Sequence, residues 1–542
     1  MDDLTCGTIT EFSDKFYNDS KNRLAQNAIR RARNLSSVLM DAYKAKEYNE
    51  VFTNAIHVDV KTSNQESSGR CWLFAILNVI RLNMIQNYKL DKDFELSQAY
   101  PFFWDQFEKS NYFLIKAIKF RKKDVEDEYN RNIFNDPVSD GGCWNMVVNI
   151  VNKYGLVPKN DMDETFHTSH TEQMKKFLND KLREFAVEIR QMPESHFTSN
   201  KSILKKRLKE MLFSIFKLLT IFMGTPPDKV DWSFYQNVPN FKGTQIKKSK
   251  KSKKSRKTKK SRKTKKSRKT KKSRKTKKTG GRTNYKKRTI KKGGRQERIN
   301  DIYNGDDDSE EKIVIKTKIF PKNSSTSSKD KSYAAIKNIT PLHFYKSYIN
   351  YNCDNKISLI NFPHKDRPFY KRYLVEYANN MDNNNFAVHI NVPIEVIMNA
   401  TAKSIKNGEA IWFGCDVDKN VHHMNGIMDT ESINYKETFD MGLDLDKGNS
   451  LFTRAGEVSH AMVLKGYNCE KGKHINKWWV ENSWGDDNDK YGNYVMSTPW
   501  FKRHVYQVVV DTKYCDKKIL DCQKSKPINV KMWDPFGNLL IR

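Results

Sequence analysis

The pattern of apolar and polar positions changes twice along the chain. Residues 12–48 mix charged and apolar positions at roughly helical spacing without Gly or Pro, which predicts one or two amphipathic helices ahead of the core. A short strand-like run follows at 51–70, VFTNAIHVDVKTSNQESSGR, ending in a polar turn. CWLFAILNVIRLNMI then starts abruptly at Cys71 and reads as a buried helix with that cysteine in its first turn. From about 90 to 240 the periodicity is helical, in QAYPFFWDQFEKSNYFLIKAIKF, EQMKKFLNDKLREFAVEIR and SILKKRLKEMLFSIFKLLTIF, with a loop at NDPVSDGGCWN (135–145) where Pro and paired Gly interrupt it. After 385 the pattern shortens to β-branched and aromatic runs: FAVHINVPI, AIWFGCDV, HAMVLKGYN, KWWVENSWG, NYVMSTPWF and VYQVVVD, which predict strands of a sheet or barrel. A helical first half and a β-rich second half predict an α+β fold with the cleft between them.

Between the halves lies a segment that belongs to neither. KKSRKT recurs four times from Lys253 to Thr276, with little apolar content and no opposing charge, so a disordered, extended insert is expected through about 332. Order is expected to resume at AAIKNITPLHFYKSYI. The expected organisation is therefore an N-terminal helical extension (1–60), a helical segment (61–241), the basic insert (242–332), and a remainder that turns from helical to β-rich (333–542).

Charge changes the picture less than its total suggests. The chain of 542 residues carries a formal net charge of +34. About 29 Lys and Arg fall within 247–295, where there is no Asp or Glu, leaving roughly +5 for everything else. The tract has three readings: a solvated insert, a nucleic-acid or polyanion binder acting through counterion release, or a nuclear targeting signal. No aromatic side chains interleave the repeats, so any such binding would be electrostatic and salt-sensitive. Eight cysteines with no CxxC pair argue for a reducing compartment and against a zinc site. The N-terminus lacks an apolar h-region, and MLFSIFKLLTIFMG (211–224) is too short for a bilayer span and reads as a buried helix. A cytoplasmic protein is expected.

Cys71 is where chemistry is expected. A thiol becomes a useful nucleophile when a helix N-terminus or a nearby imidazolium favours its thiolate. His460, at the head of HAMVLKGY, is the candidate base. Asn482, in ENSWG, is the candidate acceptor that fixes the imidazole's tautomer, in the order Cys, His, Asn. Gln65, six residues before the cysteine, is placed to donate to an oxyanion beside the Cys71 backbone N–H. Trp484 is read either as cover for the Asn–His hydrogen bond or as simple packing. His422, His423, His474 and His504 are read as structural, and Cys143 is given no catalytic role. No metal or organic cofactor is required.

Taken together, QESSGRCWLFA, SHAMVLKGY and VENSWGDDNDKYGNYVMS resemble the papain superfamily, and Arg70 before the cysteine is similar to the bleomycin hydrolase, or aminopeptidase C, branch. ELSQAYPFFWDQFEKSNYFL, NDPVSDGG, VNKYGLVPK, GEAIWFGCDV and WDPFGN extend that resemblance over nearly all of the chain except 242–332. It implies a papain fold with a large helical insertion, spanning the 389 positions between Cys71 and His460. It implies an intracellular, broad-specificity aminopeptidase acting on peptides, commonly a homohexamer, with the C-terminal arm restricting the cleft to substrate N-termini. Gly141, Gly142 and Trp484 are the expected substrate-binding residues. Cys143 and Asn145 depart from the family pattern DGGQWD, and the chain runs past the usual ending to WDPFGNLLIR. The rival expectation is a peptidase scaffold that works mainly as a polyanion binder through its insert.

Overall fold

The computed structural model describes residues 4–236, 332–383, 386–443, 445–470, 472, 474–485 and 492–539. The basic tract expected to be disordered, 242–331, lies outside the described residues.

The N-terminal extension forms α1 (Cys6–Asn18) and α2 (Ser20–Arg31), capped by Thr5 and Asp19, whose side-chain oxygens accept from Thr8 N–H and Lys21 N–H. Neither helix buries a residue, and Leu4, Ile9, Phe12 and Leu24 around them are exposed. Of the strand-like run after Val51, only Asn54–Ala55 becomes strand; the rest is irregular.

The core is organised around α3 (Cys71–Tyr88), which has no polar face and buries Trp72, Leu73, Ile76, Leu77, Ile80 and Leu82 almost completely. Burying side chains of this size is worth roughly 2 kcal/mol each, so the helix has no freedom to rotate about its axis. That fixes the direction in which Cys71 leaves its first turn. The other long helices gather on α4 (Ala99–Phe120), against which α5 (Trp144–Tyr154), α6 (Glu172–Gln191) and α7 (Lys201–Met223) pack. In α7 the segment expected to be wholly buried is buried on one face only: Met211, Ile215 and Leu219 are inside, whereas Phe213 and Ile221 are exposed. Lys217 and the exposed Phe213 and Ile221 alternate with the buried positions, so the apolar run was in fact an amphipathic stripe. No described helix is long and apolar enough to cross a membrane.

An antiparallel ribbon follows, β1 (Val230–Gln236) with β2 (Ser332–Ile339), paired from Val230↔Ile339 to Gln236↔Ser332. Helical periodicity had been expected up to 240, and Trp232, Phe234 and Ile336 instead form a strand pair that packs on Tyr88, Phe94 and Phe344.

The second half is one large mixed sheet. Its longer strands are β3 (Lys356–Ile360), β4 (Lys371–Val375), β5 (Val388–Asn391), β6 (Ile411–Cys415), β7 (His460–Glu470), β8 (His474–Glu481), β9 (Asn493–Ser497), β10 (Val505–Asp511) and β11 (Ile528–Val530), in the order β11-β4-β5-β3-β10-β6-β7-β8-β9, with two-residue strands at Asn54–Ala55, Val421–His422 and Ile427–Met428 completing it. Every run expected to be strand after 385 is one; β3, β4 and β11 were not anticipated. The central strands β6 and β7 are buried along most of their length, with His460 opposite Cys415 and Leu464 opposite Ile411. α3 lies against them, and the Trp412 indole N–H donates to the Trp72 carbonyl at 3.1 Å. The fold is α+β and of papain type.

Candidate active site

Three elements converge on Cys71. It is the first residue of α3, whose opening turn is closed by the N–H groups of Leu73 and Phe74 on the Arg70 carbonyl at 2.9 and 3.0 Å. The backbone N–H groups of Trp72 and of Ala461 act on the thiol and favour its ionised form. Ala461 is the second residue of β7, so the thiol stands beside the head of the strand that begins with His460.

His460 meets Asn482 at the end of the neighbouring strand, with His460 Nε2 and Asn482 Oδ1 2.7 Å apart. The same oxygen accepts from the Ser483 N–H at 2.8 Å, which sets the orientation of the amide. A carbonyl oxygen only accepts, so Nε2 carries a hydrogen and Nδ1 is left as the basic nitrogen. Trp484 stacks on the imidazole with centroids 4.7 Å apart and an interplanar angle of 30°. Of the two readings of that tryptophan, the geometry favours the cover. His423, read as structural, packs edge-on against the same indole at 5.3 Å and bonds Tyr494.

Cys71 and His460 are 2 % and 3 % exposed. Burial pushes the Cys71 thiol up to about 11 and the His460 imidazole down to about 4. Both effects are desolvation, which penalises each group's charged form. An opposite charge on the neighbouring group would act against both shifts. The bond to Asn482 supports the protonated imidazole.

Gln65 is brought to the site by two backbone hydrogen bonds between loops far apart in sequence: Gln65 N–H to Ser483 O at 2.9 Å and Gly485 N–H to Ser63 O at 3.1 Å. Its amide oxygen accepts from Ser483 Oγ at 2.8 Å and its amide nitrogen donates to the Ser68 carbonyl at 2.7 Å. One amide hydrogen is thus committed, and the other is available to a ligand. Between Gln65 and Ser68 the chain passes through Glu66 in the left-handed region (φ 49°), held by hydrogen bonds from its N–H to Asn64 Oδ1 and from Asn64 Nδ2 to its carboxylate.

Gly141 and Gly142 are buried ahead of α5, beside the first turn of α3. A Cβ on Gly142 would stand 2.6 Å from the Trp72 ring, so only glycine allows the approach. Lys109 holds the loop by donating to the carbonyls of Ser139 and Gly141 at 3.0 and 2.5 Å. Cys143 is buried in the core, and its thiol is pushed up to about 11 by burial.

One feature was not anticipated. Glu481, next to Asn482, is buried and bonded to Arg81 Nη2 at 3.1 Å and Lys465 Nζ at 3.0 Å. It thereby joins α3, β7 and β8, the elements that bear Cys71, His460 and Asn482. A glutamate inside the apolar run KWWVEN was the available signal, because such a charge must find a partner. The C-terminal segment, expected as an arm at the cleft, is tied near His460: the Asn538 carbonyl accepts from Val458 N–H at 2.7 Å, two residues before it. Phe536 and Leu539 are fully buried, and Asp534 pairs with Arg367 at 2.7 Å. The expected extra length, 540–542, lies outside the described residues.

Among the described residues no group of three or more His, Cys, Asp or Glu is arranged to hold a metal.

The model of the Peptidase C1-like family matches residues 3–251 and 244–537. The chain is 32 % identical to aminopeptidase C of Listeria monocytogenes over 491 residues, covering 91 % of this chain and 89 % of that one. It is 31 % identical to aminopeptidase G of Lactobacillus delbrueckii subsp. lactis over 538 residues, covering 99 % of each. It is 30 % identical to bleomycin hydrolase of Gallus gallus over 498 residues, covering 90 % and 89 %. The crystal structure of PepW from Lactobacillus rhamnosis HN001 superposes with a TM-score of 0.78 at 27 % identity, covering 99 % of both chains.

Proposed function

This chain belongs to the Peptidase C1-like family and is a cysteine peptidase of the aminopeptidase C and bleomycin hydrolase kind, and from that premise we propose that Cys71, His460 and Asn482 form its catalytic triad. Cys71 attacks the peptide carbonyl while His460 Nδ1 takes the thiol proton. The tetrahedral oxyanion is held by the free amide hydrogen of Gln65 and the Cys71 N–H. His460 then delivers its proton to the departing amine, and water hydrolyses the acyl-enzyme by the same route in reverse. Asn482 holds the ring in the Nε2–H tautomer, and Trp484 keeps water from that bond. Gly141 and Gly142 let the substrate backbone approach, since neither presents a side chain.

The observation that carries this reading is the His460–Asn482 pair under Trp484, seated beside a thiol at a helix N-terminus. We further propose that the enzyme removes residues from free peptide N-termini. In support, the C-terminal segment is fastened two residues upstream of His460, through the Asn538 carbonyl and the Val458 N–H. Cleavage of aminoacyl and free peptide substrates, with no cleavage of their N-acetylated forms and loss of all activity in Cys71→Ala, is the expected result. Equal cleavage of blocked and free forms refutes the exopeptidase reading, and an active Cys71→Ala protein refutes the triad.

A homo-oligomer, a hexamer on the family resemblance, is proposed on the exposed apolar residues of α1 and α2, and sedimentation velocity tests it. Cytoplasmic placement is proposed because all eight cysteines are unpaired. Polyanion binding or nuclear targeting through 247–295 has only the charge of that tract behind it; the relatives are named as peptidases and a bleomycin hydrolase.

A further inference from the structure

Arg70, the residue before the nucleophile, is 0 % exposed. A guanidinium withdrawn entirely from water is poor evidence of a stabilising role, because apolar side chains of that volume usually pack as well or better. Its contacts point to another use. Nη1 lies 2.9 Å from the Glu164 carboxylate, which also accepts from Thr168 Oγ1. Nε donates to Ser68 Oγ at 3.0 Å. Ser68 Oγ donates in turn to the Gln65 carbonyl at 2.6 Å, and the Ser68 carbonyl accepts from Gln65 Nε2 at 2.7 Å. The guanidinium carbon sits between the rings of Phe74 and Phe102, at 5.1 and 5.3 Å, so it has no room to swing. The loop is tied to the same region once more by the Ser67↔His170 bridge.

We propose that Arg70, anchored by Glu164, is a positioning residue for the oxyanion-donating amide of Gln65, acting through Ser68. The inference rests on the reading of Gln65 given above. The chain of contacts runs Glu164, Arg70, Ser68, Gln65, and each link is a hydrogen bond with a fixed direction. The donated amide hydrogen matters only when charge appears on the substrate oxygen, so a misplaced amide slows the chemical step and leaves ground-state binding nearly intact.

Glu164→Gln removes the anchoring charge and keeps the shape. Ser68→Ala removes only the hydroxyl link. With a free aminoacyl coumarylamide as substrate, each is expected to lower kcat roughly 10- to 100-fold with KM within about twofold, below the 10²–10³ seen when an oxyanion donor is deleted outright. Alkylation of Cys71 by iodoacetamide generates no oxyanion and is expected to stay within about twofold of wild type, which also reports that the variants fold. In a Gln65→Ala background, Ser68→Ala is expected to cause no further loss. If Gln65→Ala slows turnover while Glu164→Gln and Ser68→Ala do not, the positioning role falls and Gln65 keeps its own. If Gln65→Ala turns over at the wild-type rate, both fall. Equal losses in turnover and alkylation also overturn the proposal.

Discussion

Replacing Glu481 with Gln alters a single charge at the centre of the molecule. The wild-type cluster is Arg81 and Lys465 on the two oxygens of one carboxylate, all three nearly inaccessible. Glu481→Gln preserves volume and leaves one acceptor, but the buried net charge rises from +1 to +2. Breaking a buried ion pair from one side costs about 3–5 kcal/mol, and the retained acceptor places this variant near the lower end, about 3 kcal/mol. Lys465→Met leaves the Arg81–Glu481 pair neutral and keeps most of the aliphatic stem, so it is expected to cost under about 1.5 kcal/mol. The double variant returns the cluster to +1 and is expected to be more stable than the sum of the singles by at least about 1 kcal/mol. Urea denaturation followed by tryptophan fluorescence reads all three. The pH dependence has a definite sign. Burial raises the Glu481 carboxyl, but Lys465 and Arg81 outweigh it and hold the group below the usual range. Its contribution is therefore complete above the ordinary glutamate value of about 4.3 and fades as pH falls through the lower folded value. The Glu481→Gln deficit should shrink in step. A deficit under 1 kcal/mol at pH 7, or a strictly additive double variant, refutes the reasoning.

Trp484→Ala exposes His460 and removes the desolvation that is the largest cause of its low pKa, so the acid limb of kcat/KM is expected to rise from near 4 toward 6.5 by roughly one unit; an unchanged or lower limb tells against the cover. Gly142→Ala drives a methyl group into the Trp72 ring and is expected to lower stability by about 1–3 kcal/mol, measured by the urea midpoint. His389 and His460 are pushed down to about 4 and His504 to about 3, all by burial. Below pH 6.5 the unfolded chain therefore binds protons that the folded one does not. Stability should drop at a slope approaching about 4 kcal/mol per pH unit near pH 5, and a urea midpoint constant between pH 6.5 and 5 contradicts it. Replacing 237–331 with Asn-Gly should leave both aminoacyl hydrolysis and the urea midpoint unchanged, because Gln236 and Ser332 are cross-strand partners already about 5 Å apart.

The residues of the proposed triad stood out in the sequence because they sit where local pattern changes: Cys71 at a loop-to-helix junction, His460 at the head of an apolar run, Asn482 at the end of another. The strands after 385 carried enough β-branched and aromatic content to declare themselves. What stayed hidden was pairing at a distance. Arg81 and Glu481 are 400 positions apart, and although each stands in an apolar run that calls for a partner, nothing local says which. The β1–β2 ribbon was hidden for the same reason, since Trp232 finds its partner strand only beyond the basic tract. In α7 the apolar residues were visible, but which face met the core depended on α4 and α6 being present. Arg70 was noticed for its likeness to a family pattern; its role in holding Ser68 depends on Glu164, which nothing in the local sequence distinguishes.

The closed ribbon at Gln236 and Ser332 makes copy number a free variable of this chain. A KKSRKT unit gained or lost there renumbers His460 and Asn482 without altering the register of a single strand, since the two points of attachment are neighbours whatever stands between them. Repeat length at that junction is thus uncoupled from the separation of Cys71 and His460 in space, and variants differing by whole repeats are expected to keep one geometry around them.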